Sequence, residues 1–118
     1  MNGMTVPGLV EAAAERFGDR VFLRVGDTRR TYAETRDAAA AMAGSLAAHG
    51  CRPGDRIAAL LSNRIELVDL VLGCAWLGAV VVPLNTALRG ASLRQALDAA
   101  RPQFLYVEPE LSQEALAS

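Results

Sequence analysis

Leu67–Leu84 reads LVDLVLGCAWLGAVVVPL, eighteen residues in which Asp69 is the sole charge. As a single helix, this run is long enough to cross the hydrocarbon core of a bilayer. As two elements, it is a buried helix running into a buried strand, and apolar periodicity alone does not separate the two readings. Local chemistry does. Asn63 and Glu66 have the spacing of a capping box, so a helix is predicted from about Arg64 to Leu77. Gly78 breaks that helix, and Ala79-Val80-Val81-Val82 is β-branched up to Pro83, which has no N–H to give to a ladder. Arg64 and Arg89 stand on opposite flanks, so no positive-inside bias marks the run as a membrane span. The stretch is read as a buried helix followed by an interior strand of a parallel sheet.

The same reasoning extends in both directions. Upstream, Thr5 caps a first helix with an apolar stripe at Val10, Ala13, Ala14 and Phe17, and Gly18 ends it. Val21–Val25 and Thr28–Tyr32 flank Gly26-Asp27, the signature of a two-residue hairpin turn. Thr31 and Glu34 form a capping box for a long helix to about His49, with Ala39, Met42, Ala43, Leu46 and Ala47 as its buried stripe. Gly50 and the turn at Arg52-Pro53-Gly54-Asp55 lead to an apolar strand, Ile57–Leu61. Downstream, Ser92 and Gln95 repeat the capping spacing, Pro102 stops that helix, and Phe104–Val107 reads as a strand. The tail EPELSQEALAS begins what reads as one more helix.

From Ile57 onward the order is strand, helix, strand, helix, strand, and connections of this length require parallel pairing with right-handed crossovers. The expected fold class is α/β: an antiparallel hairpin followed by a βαβαβ parallel sheet with flanking helices. Residues 1–118 are read as one unit without internal repeat or linker.

Composition narrows the function. A 52% hydrophobic, 21% charged chain with net charge −1 fits an ordinary globule and gives no electrostatic case for nucleic acid or anionic lipid. All twelve basic residues are arginine, so lysine chemistry is excluded from this stretch. Cys51 and Cys74 read as unbridged thiols; with one histidine and no CxxC, no metal site is expected. The acidic N-terminal segment lacks the apolar core of a signal peptide, which points to a cytoplasmic protein.

Four motifs occur in order: Thr31-Tyr32-Ala33-Glu34; Gly54-Asp55-Arg56-Ile57-Ala58; Ser62-Asn63 with Glu66; and Gly78-Ala79-Val80-Val81-Val82-Pro83-Leu84-Asn85. Together they resemble the start of an adenylate-forming enzyme of the AMP-binding superfamily. Leu84-Asn85-Thr86-Ala87-Leu88-Arg89-Gly90 further resembles the acyl-CoA synthetase and carnitine-CoA ligase-like branches. Thr35 departs from the pattern, standing where the family usually has an apolar residue. The resemblance implies a complete enzyme that uses ATP, Mg²⁺ and CoA to join a carboxylic acid to a thiol through an acyl-adenylate. The family's phosphate loop ending in Pro-Lys-Gly, its ribose-binding motif and its lid lysine have no counterpart in these residues. The segment is therefore expected to be the N-terminal part of an AMP-binding domain, a scaffold that is inactive alone and binds no cofactor itself. Its expected partner is the remainder of the enzyme or a complementary chain. A stand-alone interaction or oligomerisation module, including a homo-oligomer, is the alternative.

No catalytic residue and no metal ligand is assigned. Asn63, Asn85 and Thr86 are the candidate substrate- or cofactor-binding residues, because each follows a strand at the edge where parallel sheets bind ligands. For Asn63 a helix cap is the competing reading, and for Asn85 and Thr86 a structural turn. Glu108 follows the last strand with no partner identifiable from sequence. Tyr32 reads as an aromatic packed on the first helix, and Trp76 as core or as the cover of an interdomain seam. His49, at a helix C-terminus, has no nucleophile beside it for general-base work.

Overall fold

The Thr31 capping box forms as its residue types dictate. In the computed structural model, which describes residues 6–25, 27–62 and 64–111, the Thr31 hydroxyl accepts from the Glu34 amide at 3.0 Å. The Glu34 carboxylate in turn accepts from the Thr31 amide at 2.9 Å. That cap opens helix α2 (Tyr32–Ala48), preceded by α1 (Val6–Phe17) and the hairpin β1 (Val21–Val25) and β2 (Thr28–Thr31). Then follow β3 (Arg56–Leu60), α3 (Ile65–Leu77), β4 (Val80–Pro83), α4 (Gly90–Ala100), β5 (Phe104–Val107) and a single 3₁₀ turn, Pro109–Leu111. β1 and β2 pair antiparallel, while β3, β4 and β5 form a parallel sheet in the order β4-β3-β5. The α/β class and the βαβαβ order are as expected.

The core lies between this sheet and the α2–α3 layer. Ile57 and Ala59 of β3, and Leu61 just beyond it, alternate toward buried Leu46, Cys51, Leu70 and Cys74, with Val81, Phe104 and Tyr106 packed around them. α4 lies against β3 and buries Leu93 completely. Close approach of α2 and α3 depends on Gly73, where a Cβ would come within 2.6 Å of Met42 Cγ and 2.8 Å of Met42 Cβ. Tyr32 sits between Phe17 of α1 and Phe22 of β1, with ring centroids 5.5 and 5.0 Å away, which seats the hairpin on the first helix. Thr35 is buried and its hydroxyl donates to the Thr31 carbonyl at 2.8 Å, so a polar residue is accommodated at an apolar position.

The run Leu67–Leu84 divides where glycine permits. α3 ends at Leu77, and Gly78 takes φ +89 as its left-handed cap, donating to the Cys74 carbonyl at 2.8 Å. Thirteen helical residues span about 20 Å, short of the roughly 30 Å hydrocarbon core. Among the described residues, no helix is long and apolar enough to cross a membrane. The lone charge is neutralised: both Asp69 carboxylate oxygens accept from Arg30 of β2, each at 3.0 Å.

Four local expectations need correction. α3 has Arg64 as its N-cap with no side-chain cap hydrogen bond, and Asn63 lies outside the described residues. α4 starts at Gly90 after an N-cap at Arg89, so Ser92 lies inside the first turn rather than capping it. Ala47 is exposed; buried Thr35 lengthens the inward stripe of α2 at its other end. The valine strand β4 is an edge of the described sheet, with Val80 48% exposed, because both crossovers place their strands beside β3. The Thr5 cap, the Gly26 turn position and the helix expected after Leu111 fall on residues outside the description.

Candidate functional site at the carboxyl ends of the sheet

β3 exits through Leu61 and Ser62 toward α3, and β5 exits through Glu108. Because the two strands are parallel neighbours, these exits lie side by side. The crossover from β3 leads to β4 on one side, and the next crossover returns past β3 to β5 on the other. The boundary between β3 and β5 is thus the switch point of the sheet, the place where open parallel sheets form a crevice. A cleft of about 390 Å³ lies there, lined by Leu61, Arg64, Glu66, Tyr106, Glu108 and Pro109 among others.

Glu108 organises the crevice. It is 6% exposed; its Oε1 accepts from the Ser62 amide at 2.7 Å and its Oε2 from the Ser62 hydroxyl at 3.4 Å. Arg64 Nε lies 3.1 Å from the same Oε2, giving the buried carboxylate a charged partner. The Glu108 amide donates to the Leu60 carbonyl at 3.2 Å, carrying the β3–β5 ladder up to the crevice. Arg64 Nη2 donates to Glu110 at 2.7 Å, and its Nη1 lies 3.9 Å from Glu66. The Glu110 carboxyl is held below its ordinary range, first by its own backbone amide and then by Arg64. The Arg64 guanidinium is correspondingly raised, led by its hydrogen bond to Glu110.

Of the sequence candidates, Asn63 lies outside the described residues, and Asn85 and Thr86 sit elsewhere on the same edge. Asn85 Oδ1 accepts from the Ala87 amide at 2.8 Å, and the Asn85 carbonyl accepts from the Leu88 amide at 3.1 Å. The Thr86 carbonyl accepts from Arg89 Nη1 at 2.6 Å. Both residues build the turn from β4 into α4, and neither lines the crevice. Ser62, Arg64 and Glu108 are the residues brought together, and sequence reasoning did not connect them. Their one shared signal is position: each lies within a few residues of a strand's carboxyl end. His49 caps α2 with Nδ1 2.8 Å from the Ser45 carbonyl, and Trp76 is half-buried. Among the described residues, no group of three or more His, Cys, Asp or Glu is placed to hold a metal.

A hairpin followed by a parallel sheet with flanking helices is an α/β fold open at its carboxyl ends. The chain belongs to the AMP-binding enzyme family, whose model matches residues 10–118. It is 37% identical over 98 residues to the medium/long-chain-fatty-acid–CoA ligase FadD6 of Mycobacterium tuberculosis, covering 83% of this chain and 16% of that protein. Over 88 residues it is 40% identical to feruloyl-CoA synthase of an Amycolatopsis species, covering 75% and 18%. The N-terminal subdomain of Klebsiella oxytoca NpsA superposes with a TM-score of 0.81 at 28% identity, over 89% of this chain and 28% of that one. A benzoate CoA ligase from Burkholderia xenovorans LB400 shares the fold, with a TM-score of 0.87 at 21% identity over 97% and 23%. The chain spans about a fifth of the length of the curated relatives it matches.

Proposed function

We propose that this chain is the N-terminal scaffold segment of an ATP-dependent acyl-CoA synthetase and has no adenylating activity by itself. The complete reaction would convert a carboxylic acid, ATP and CoA into acyl-CoA, AMP and pyrophosphate. The observation that carries the reading is the family match over residues 10–118, together with relatives that are CoA ligases. Those relatives act on acids as different as fatty and ferulic, so the acid class is left unassigned. Activation of a carboxylate by ATP requires positive charge on the phosphates during transfer. ATP with Mg²⁺ does not suit the crevice described above, where Glu66, Glu108 and Glu110 surround Arg64. Asn85 and Thr86 are assigned the lesser role of shaping the β4–α4 turn against the remainder of the enzyme. A cytoplasmic location is part of this reading. The test is acid-dependent pyrophosphate exchange with the purified chain. No exchange above the enzyme-free blank is expected, and acyl-adenylate formation by the chain alone would refute the scaffold role.

A second reading, a stand-alone oligomerisation module, is favoured by one observation. The described sheet has two open edges, with Val80 on β4 and Leu105 on β5 exposed. Light scattering across a dilution series separates the two, since a monomer at all concentrations argues against the module.

A further inference from the structure

We propose that Cys51 and Cys74 form a peroxide-sensitive dithiol: Cys51 is oxidised first, and Cys74 then closes an intramolecular disulfide that staples the turn before β3 to the end of α3. This goes beyond the scaffold reading and does not depend on it.

The fold brings together two thiols that the sequence separates by a strand and most of a helix. Cys51 follows the glycine cap of α2, where Gly50 takes φ +93 and the Cys51 amide donates to the Leu46 carbonyl at 3.0 Å. The turn that Cys51 opens lies against the end of α3. There the Gly54 amide donates to the Gly78 carbonyl at 2.9 Å, and a Cβ at Gly78 would come within 3.3 Å of Pro53 Cβ. Cys74 sits one helical turn before Gly78, and its carbonyl accepts from the Gly78 and Ala79 amides, each at 2.8 Å. Both thiols belong to one packed cluster with Leu46 and Leu70. They also sense each other: burial first, and then Cys51, push the Cys74 thiol up.

Access sets the order of reaction. Cys51 is 4% exposed, but His49 and Gly50 before it and Arg52, Pro53 and Gly54 after it are all exposed, whereas Cys74 is 1% exposed within α3. A small uncharged peroxide therefore meets Cys51 first. The Cys51 thiolate attacks one peroxide oxygen, the O–O bond breaks, and the departing hydroxide takes up the thiol proton as water. The Cys74 sulfur then attacks the sulfur of the Cys51 sulfenic acid. An S–S bond forms as the S–O bond breaks, and hydroxide leaves with the Cys74 proton as a second water. The two thiols lose two electrons, and the peroxide gains them. Because burial keeps both thiols protonated, closure is slow at neutral pH and quickens as pH rises.

The test is a thiol count and a melt of the full chain after hydrogen peroxide at mildly alkaline pH. The treated chain should take up no maleimide once denatured, run as a monomer without reductant, and melt about 10 °C above the reduced chain. Dithiothreitol should restore both thiols and the lower melting temperature. Cys74→Ala should stop at a Cys51 sulfenic acid that dimedone traps, while Cys51→Ala should leave Cys74 unmodified over the same time. If either variant fails to fold, the unsubstituted chain still decides, because its disulfide should need more dithiothreitol for reduction in buffer than in urea. Thiols that resist peroxide or are not recovered by dithiothreitol, disulfide-linked dimers, a melting temperature lowered by oxidation, a disulfide reduced as readily in buffer as in urea, or sulfenic acid on Cys74 in Cys51→Ala would each overturn the proposal.

Discussion

Asp69 ties helix α3 to the hairpin through Arg30, and its replacement should be costly. The Asp69 side chain is 12% exposed and that of Arg30 22%, and the pair is bidentate at 3.0 Å. Breaking a fully buried pair costs about 3–5 kcal/mol, because the survivor is left as an unpaired charge. An exposed pair is worth only about 0–1 kcal/mol. Residual solvent access to the Arg30 guanidinium places Asp69→Asn between these limits, at about 2–3 kcal/mol of lost stability. For a chain of this size, that is a fall in melting temperature of roughly 8–12 °C. Arg30→Met should cost a similar amount by stranding the Asp69 carboxylate on α3 without its charged partner. The double replacement Arg30→Met with Asp69→Asn removes both charges and should cost only about 1 kcal/mol where the single losses sum to about 4–6 kcal/mol, a coupling energy of about 3–5 kcal/mol. Urea unfolding of the four proteins at constant m-value measures these quantities. Single losses below about 0.5 kcal/mol, or additive effects in the double variant, would show that the contact is a solvated surface pair and that this reasoning is wrong.

Two further outcomes follow from the α2–α3 layer. Gly73→Ala should destabilise by about 1–3 kcal/mol despite the better helix propensity of alanine, because its Cβ would meet Met42 Cβ at 2.8 Å and the Ala43 amide nitrogen at 3.2 Å; a gain in melting temperature would contradict this packing. Burial raises the Cys74 thiol from 9.0 to about 11, so its proton is bound more tightly in the folded state than in the unfolded one. Stability from this group is full below pH 9 and is lost as pH rises from about 9 to about 11. A pH series of melting curves should show that alkaline decline weakened in Cys74→Ala, and an unchanged slope would refute it.

Features set by neighbouring residues were legible in the sequence; those set by distant contacts were not. The Thr31–Glu34 capping box, the Gly78 break and the strand Phe104–Val107 all stand where residue types place them, because each is decided within a few residues. The same capping spacing at Ser92–Gln95 misled. After a strand, the first helical residue is fixed by where the chain leaves the sheet, which put Arg64 and Arg89 at the caps. Three consecutive valines read as interior, but the position of β4 in the sheet depends on the direction of the following crossover, and no residue of β4 encodes that. The crevice escaped for the same reason: Ser62 and Glu108 meet only once β3 and β5 pair.

That distinction also explains why the most conspicuous stretch of the chain is not its most chemically informative one. Leu67–Leu84 is apolar because it fills one layer and one strand of a sheet, and its single charge is spent on holding the hairpin. Chemistry in a parallel sheet gathers instead where strands end, since the carbonyls and amides there have no continuing ladder partners. In this chain those groups are met from within: the Ser62 amide by Glu108, the Glu108 amide by Leu60 and the Ala87 amide by Asn85. A sheet edge satisfied by its own side chains is rigid, and rigidity there is what a scaffold must supply to elements packed beyond it. Glu108 gathers the Ser62 amide, the Ser62 hydroxyl and the Arg64 guanidinium onto one buried side chain, so order at that edge rests on a single carboxylate.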